Sequence, residues 1–347
     1  MSQFETREVV HLDPDAVSRW LTALGIEFEA PLHFQRVGLG QSNLTYRVAD
    51  AADRAWILRR PPLGHLLASA HDVLREARII AALADTDVPV PQILGTTTDS
   101  EFSEVPLVLM EFVDGLVVDT MGVAEALTPQ RRREIALDLP RTLAKIHAVD
   151  LEQVGLADLA SHKPYAQRQL KRWVGQWELS KTRELPDLDD LTRRLIAAAP
   201  EQREISLVHG DFHLRNLITS RETGEIVATL DWELSTLGDP VADMGSLLTY
   251  WPEPGESTPG DFAPSTLEGF PDRAEMTRLY LEATGRDSTA LQYWQVLGLW
   301  KLAIIGEGVM RRAMDEPQNK ASAGTPDTSW IDARVHRARE IADVAGI

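Results

Sequence analysis

Apolar and polar positions change rhythm partway along the chain. Up to about residue 110 the apolar residues come in short runs broken by turn residues. Phe34–Val37 leads into Gly38-Leu39-Gly40, and Leu44–Val48 and Ala55–Arg59 follow, separated by the polar Ala49–Asp53. Pro61-Pro62 closes the third run. Runs of this length with these boundaries predict strands. A helical rhythm follows from about Ala70 to Ala84, with Ser69 and Asp72 in capping-box spacing. After Val88-Pro89-Val90-Pro91 come two more strand-like runs, Gln92–Thr97 and Pro106–Phe112. The stretch reads as a small sheet with one inserted helix.

From Asp114-Gly115 onward the pattern turns helical. Thr128-Pro129 pairs an N-cap with a proline at the first helical position and opens a helix reaching His147, which Pro140 should kink. Another helix covers about Pro164–Leu179. Short strands at Glu204–Val208, Leu217–Thr219 and Val227–Leu230 interrupt the helices, which resume at Pro240. Trp251–Pro271, rich in Pro, Gly, Ser and Thr, reads as a loop. The fold class is α+β, a β-rich lobe joined near residue 111 to a larger, mostly helical one.

Composition narrows the chemistry. The chain has 347 residues and no cysteine, which removes disulfides, thiolate metal sites and a cysteine nucleophile together. No run approaches the roughly 18 apolar residues of a membrane span. The start, MSQFETREVVHLD, lacks the apolar core of a signal peptide, so the expected location is cytoplasmic. A net charge of −18 argues against nucleic-acid binding, which needs a basic surface. Residues 1–110 hold 9 basic and 15 acidic side chains, and the remainder 26 and 38, so the excess follows length as a solvated acidic surface would.

The strongest chemical signal is Leu207-Val208-His209-Gly210-Asp211-Phe212-His213-Leu214-Arg215-Asn216-Leu217, with Thr229-Leu230-Asp231-Trp232-Glu233 following. Both are apolar strands running into polar turns, so their carboxylates emerge at strand ends. Asp211 is a candidate base, while Asn216 and Asp231 offer hard oxygens suited to Mg²⁺. Phosphoryl transfer needs that set: one group orienting a hydroxyl, and oxygen ligands holding metal against phosphates.

These residues resemble the protein-kinase-like fold and, within it, the aminoglycoside phosphotransferase and choline kinase-like superfamily. His209, Gly210, Asp211 and Asn216 match the family's H-G-D-x-x-x-x-N loop. Leu230 to Glu233 match its I-D-W/F-E segment, and Gly238, Asp239, Pro240 and Asp243 its G-D-P-x-x-D. The resemblance implies a bilobal protein: residues 1–110 as nucleotide-binding lobe, 111–115 as hinge, and 116–347 as catalytic and substrate-binding lobe. It implies ATP and Mg²⁺, with Asp211 orienting the acceptor hydroxyl and Asn216 and Asp231 holding the metal. Asp243 would tie down the catalytic loop, His209 would pack beneath it, and Asp239 reads as an N-cap. Gly38, Gly40, Ser42 and Asn43 sit where the fold places a phosphate-covering loop. Arg59 stands where protein kinases carry a strand Lys, with Arg60 on the opposite, solvated face. Backbone groups near Glu111 and Val113 should meet adenine.

One partner is readable without the resemblance. Val73, Ala77, Ile80 and Ala84 form an apolar helical stripe with Glu76 inside it. A carboxylate on a buried stripe is costly without a cation, which predicts an Arg59–Glu76 pair.

Two further segments, Arg168 to Trp177 and Tyr293 to Gly308, resemble the subfamily whose kinase-like domain is fused to acyl-CoA dehydrogenases. Arg168, Trp173, Trp177, Glu233, Trp300 and Glu307 are the acceptor-site candidates, although the tryptophans read equally as helix-packing core. The resemblance leans toward a small hydroxylated metabolite, including a hydroxyacyl-CoA, phosphorylated by a monomer or homodimer. An aminoglycoside phosphotransferase conferring antibiotic resistance is the alternative acceptor reading, and a catalytically silent kinase-like binding protein the alternative class. A protein kinase is disfavoured because Trp232-Glu233, not Phe-Gly, follows Asp231. No His-Glu-x-x-His supports a zinc hydrolase.

Overall fold

A computed structural model describes residues 12–38, 43–62, 72–256, 262–315 and 326–347. The chain divides into two compact units, the first running to Asp114 and including Val227–Glu233, the second formed by Gly115–Ile226 and Leu234–Ile347.

The first unit opens with a helix absent from the sequence expectation, α1 (Pro14–Ala23). Asp13 caps it by accepting the Asp15 N–H at 2.9 Å. Then come β1 (His33–Val37), β2 (Leu44–Ala49), β3 (Ala55–Arg60), α2 (Val73–Leu83), β4 (Ile93–Thr97) and β5 (Leu107–Glu111). The strands form one antiparallel sheet in the order β1-β2-β3-β5-β4.

Side-chain alternation gives the sheet two apolar faces. Trp56, Leu58, Leu107 and Leu109 pack with Val17, Trp20 and Leu21 of α1. Val108 and Met110 pack on the other face with Val73 and Ala77 of α2, with Ile57 partly buried beside them. Arg59 shares the Ile57 face and therefore meets α2. Arg60, expected to be solvated, is only 5% exposed, because alternation puts it on the covered Trp56–Leu58 face. Its Nε donates to the Pro61 carbonyl at 3.3 Å.

Val227–Glu233, placed by sequence with the helical lobe, is tied into this first unit. The Thr229 N–H donates to the Pro89 carbonyl at 2.7 Å and the Trp232 N–H to Glu76 Oε1 at 3.3 Å.

The second unit is mostly helical: α3 (Met121–Ala126), α4 (Pro129–His147), α5 (Tyr165–Ser180) and α6 (Pro186–Ala197) come first. Short strands β6 (Ser206–Val208), β7 (Leu217–Thr219), β8 (Ile226–Thr229, whose last three residues belong to the first unit) and β9 (Thr236–Gly238) follow. The chain finishes with α7 (Pro240–Thr249), α8 (Arg273–Thr284), α9 (Leu291–Asp315) and α10 (Thr328–Ala345). Thr128 caps α4 as its sequence signalled, while Pro140 lies buried inside one continuous helical span. Aromatic and aliphatic residues of α5, α6, α9 and α10 make the main core. No described helix is long and apolar enough to cross a membrane.

Candidate active site

Strand β6 ends at Val208, and the loop after it is held from below. Asp243, in the first turn of α7, accepts the His209 N–H at 2.6 Å and the Gly210 N–H at 2.9 Å. Its Oδ2 also lies 3.3 Å from His147 Nε2, and His147 Nδ1 is 2.8 Å from the Tyr280 hydroxyl. Burial pushes the Asp243 pKa up, but these donors outweigh it and keep the group ionised below its ordinary value. Gly210 has φ +82°, and a Cβ there would come within 2.8 Å of the Leu234 carbonyl, so only glycine fits this turn. His209 is fully buried, its Nδ1 accepting the Asp211 N–H at 3.3 Å. Asp239 caps α7 through the Val241 N–H at 2.9 Å.

The turn presents Asp211 with its carboxylate 25% exposed. Its Oδ1 accepts from the Tyr250 hydroxyl at 3.2 Å, and its Oδ2 from Asn216 Nδ2 at 3.2 Å. His213 Nε2 lies 3.4 Å from the same Oδ2. His213 Nδ1 accepts the Arg215 N–H at 3.3 Å, which leaves the ring proton on Nε2, facing Asp211. Lys301 adds charge: its Nζ donates to the Gly210 carbonyl at 3.3 Å and lies 5.4 Å from the Trp173 ring centre. Burial alone would raise the Asp211 pKa. His213, Lys301 and His209 overcome it and hold the carboxyl well below the usual range. Of about four acceptor positions on a carboxylate, roughly three are taken and one remains for a hydroxyl.

Asn216 commits its amide hydrogens to Asp211, to the carbonyl at 2.9 Å and to Oδ2. That fixes its orientation and leaves Oδ1 as a hard oxygen with no partner among the described residues.

The first unit carries a different cluster. Arg59 Nε lies 3.1 Å from Glu76 Oε2, the ion pair predicted by the buried helix stripe. The same guanidinium donates from Nη2 to Asp231 Oδ1 at 3.0 Å. Glu76 is 2% exposed, whereas Asp231 is 35% exposed and has φ +64°, a left-handed conformation uncommon outside glycine. Asn43 Nδ2 reaches Glu233 Oε2 at 3.5 Å, and its buried Oδ1 has no partner among the described residues. Burial pushes the Glu76 pKa up to about 7; Arg59 opposes this, but Asp231 and Glu233 add to it. Three carboxylates act on the Arg59 guanidinium, with Arg75 reaching the Glu233 carbonyl at 3.5 Å, and a divalent cation on Asp231 would add positive charge to this cluster. Among the described residues no three His, Asp or Glu side chains converge on one metal position. The Asn216 amide oxygen and the Asp231 carboxylate are each the kind of hard oxygen donor that a divalent cation takes.

Other predicted site residues fall elsewhere. Gly40 and Ser42 lie outside the described residues, while Gly38 makes a turn with φ +80°. The Glu111 N–H is spent on the Gln92 carbonyl at 2.9 Å, and its Oε1 accepts the Gln92 N–H. Val113 keeps its backbone groups uncommitted among the described residues.

Several acceptor candidates need correction. Trp300 is fully buried with its Nε1 on Thr192 at 2.9 Å, and Trp177 is 3% exposed with its Nε1 on Asp189 at 3.0 Å. Trp173 is core as well, bonded to Gln169. Glu307 is buried and saturated by the Thr182 N–H and hydroxyl and by Arg183 Nε, so it anchors helices instead of meeting a ligand. Arg168 braces β9 through the Leu237 carbonyl. Glu233 stays with the Arg59 cluster. Sequence reasoning missed Tyr250, His213 and Lys301 as site residues. Tyr250 had a signal: it lies seven residues, two helical turns, after Asp243.

A kinase-like α+β fold with an H-G-D-x-x-x-x-N loop defines a phosphotransferase of the small-molecule kind. The phosphotransferase enzyme family model matches residues 33–279, and the chain belongs to that family. A presumed aminoglycoside phosphotransferase from Ralstonia eutropha superposes with a TM-score of 0.76 at 31% identity, covering 96% of this chain and 97% of that one. A thermostable mutant of the aminoglycoside phosphotransferase APH(4)-Ia, in ternary complex with AMP-PNP and hygromycin B, shares the fold alone. Its TM-score is 0.61 at 15% identity over 94% of this chain and 98% of the other. Acyl-CoA dehydrogenase family member 10 of Mus musculus is 34% identical over 91% of this chain. The chain spans only 30% of that relative's length.

Proposed function

We propose that the protein is an ATP- and Mg²⁺-dependent O-phosphotransferase that moves the γ-phosphoryl group of ATP to a hydroxyl of a small molecule. The observation that carries this reading is Asp211: an ionised carboxylate with both oxygens gripped and one acceptor position left over. A base so acidic is a poor proton store before reaction. Its work is to align the hydroxyl and to draw its proton as charge develops on the oxygen. The acceptor oxygen bonds to the γ-phosphorus, the bond from that phosphorus to the ADP oxygen breaks, and the hydroxyl proton passes toward Asp211. No phosphoenzyme is needed.

Asn216 and Asp231 would hold Mg²⁺. When bound, the ion neutralises charge on the transferring phosphates and orients them. Arg59, fixed by Glu76, would contact the α- and β-phosphates as a fork where protein kinases use the point charge of Lys. Gly38, Gly40, Ser42 and Asn43 would cover the phosphates, and the uncommitted backbone at Val113 with the Glu111 carbonyl would meet adenine. The hinge at 111–115 belongs to the same reading.

The acceptor we favour is a hydroxylated metabolite, a hydroxyacyl-CoA included, on the strength of the similarity to an acyl-CoA dehydrogenase family member. An aminoglycoside is the second reading, supported by the Ralstonia neighbour. A silent binding protein is opposed by the intact Asp211, Asn216 and Asp231. The test pairs Mg·ATP thermal shift with ADP release across aminoglycosides, choline, homoserine, sugars and hydroxyacyl-CoAs. Stabilisation by Mg·ATP, lost in Asp231→Ala, is expected together with acceptor-dependent ADP release. No shift and no release would end the enzyme reading.

A further inference from the structure

Beside Asp211 the helical unit encloses a cavity of about 190 Å³. His213, Leu214, Arg215, Tyr250 and Phe262 line it. Two of these, His213 and Tyr250, are among the groups that grip the Asp211 carboxylate, so the cavity adjoins the candidate hydroxyl position. Among the described residues no carboxylate lines it.

Arg215 is its fixed cation. Nε donates to the Asp119 carbonyl at 3.1 Å, and the guanidinium carbon lies 3.9 Å from the centre of the Phe262 ring. Nη1 and Nη2 hold no hydrogen bond among the described residues. Asp119 also places its charge near Arg215, while Arg215 in turn acts on Tyr250. A cationic acceptor would find the Phe262 face already taken by a guanidinium, since each aromatic face stacks one cation. An acceptor with a carboxylate or phosphate would find a planar fork with two nitrogens to spare, pre-oriented by its Nε bond and ring stacking. Lys301 also acts on Asp211, and Arg172 and Lys301 both lie 5.4 Å from the Trp173 ring centre, so further positive charge stands near the catalytic turn. A protein carrying −18 overall thus keeps cations around this one carboxylate.

Resting on the phosphotransferase reading, we infer that this cavity is the acceptor subsite and that, among hydroxylated metabolites, Arg215 selects acceptors bearing an anionic group near the reacting hydroxyl, a free hydroxy acid ahead of its neutral CoA thioester. Arg215 is a specificity residue: it reads the acceptor and takes no part in the transfer itself.

The test uses hydroxy acids of four to ten carbons, their methyl esters, and kanamycin as acceptors, with ADP release as readout on the full chain. Hydroxy acids should outperform their neutral esters in kcat/KM. Arg215→Gln should raise KM for the acids about tenfold or more, the loss of one charge-assisted hydrogen bond, and should cost the neutral esters several-fold less. Arg215→Lys should recover part of the loss. A best acceptor that is neutral or cationic, or a KM for the acids that ignores Arg215→Gln, would overturn the inference and leave the phosphotransferase reading standing. If no compound of any charge is turned over and Mg·ATP gives no thermal shift, the phosphotransferase reading fails; whenever no compound is turned over, the anion site is judged alone by sulfate titration. A melting-temperature rise that Arg215→Gln abolishes would support it, and equal shifts in both proteins would overturn it.

Discussion

Two carboxylate clusters, one in each unit, have opposite electrostatics. Around Arg59, three acidic side chains act on the guanidinium, and the buried member, Glu76, is driven up to about 7 by burial with Asp231 and Glu233 adding to it. Around Asp211, donors and cations outnumber carboxylates, and the group is held ionised. Burial acts the same way in both, always raising a carboxyl pKa. The sign of the result comes from the neighbours. A surplus of negative charge suits a place meant to receive a divalent cation, and a surplus of donors suits a carboxylate that must stay ionised while it aligns a hydroxyl.

The sharpest way to break this contrast is Asp211→Asn. The amide keeps the shape and can still accept one hydrogen bond, but it loses the charge that draws the proton. Turnover should fall about 10³-fold, within the range for removing a catalytic base, while Mg·ATP affinity stays within about threefold. ADP-release kinetics beside nucleotide titration check it. Unchanged turnover would take Asp211 out of the reaction, and a matching loss of Mg·ATP affinity would mean that it binds nucleotide.

How much of this was legible beforehand differs between the clusters. The catalytic loop is local in sequence, so His209 to Asn216 could be read directly, and Asp239 and Asp243 lie in one later motif. The Arg59–Glu76 pair was legible because a charge on a buried helical stripe demands a partner. The other contacts of Asp211 come from distant elements. Tyr250 caps the C-terminus of α7 and Lys301 sits on α9, and nothing in a linear pattern says which helix face a turn will meet. The same ambiguity misassigned Trp300 and Glu307: a motif-bearing helix was recognised, but its inward residues are core, and Lys301 between them is the one that reaches the loop. Helix α1 was missed although Asp13-Pro14 and the spacing of Ala16, Val17, Trp20 and Leu21 carry a cap and an apolar face. Its ten residues precede a run of strands, and the strand rhythm prevailed in the reading. Val227–Glu233 is the subtler case, since its partners Pro89, Glu76 and Arg59 lie well over a hundred residues away.

A second test acts on the negative cluster. Arg59→Met removes its central cation and leaves Glu76 buried without a counter-charge. Stability should drop by about 3–5 kcal/mol, the usual cost of stranding one partner of a buried pair. Chemical denaturation measures it, and Arg59→Met with Glu76→Gln should recover much of the loss because no stranded charge remains. A single variant as stable as the parent would mean that Glu76 is already neutral there without help from Arg59. The double variant faring no better than the single would point to lost packing of the Arg59 stem instead.

The smallest effect separates the clusters by pH. Glu76 has a folded pKa of about 7 against an ordinary value of 4.5. Between those values the native protein binds more protons at this site than the unfolded chain does, so stability falls as pH rises from about 4.5 to about 7. At 1.36 kcal/mol per pKa unit, the fall attributable to Glu76 is at most roughly 3 kcal/mol. Asp211 has the reverse sign: its lowered pKa stabilises the fold above the ordinary aspartate value of 3.8, and that contribution is lost as pH drops below it. Glu76→Gln should therefore flatten the stability profile between about pH 4.5 and 7 and leave the acid limb alone, whereas Asp211→Asn should change the acid limb and leave the upper window alone. Urea midpoints taken across pH 3 to 8 distinguish the two. Because Mg²⁺ on Asp231 would supply the missing positive charge, adding it should shift the Glu76 window downward in the parent. A window that Mg²⁺ does not move would mean that the surplus charge around Arg59 is not what receives the metal.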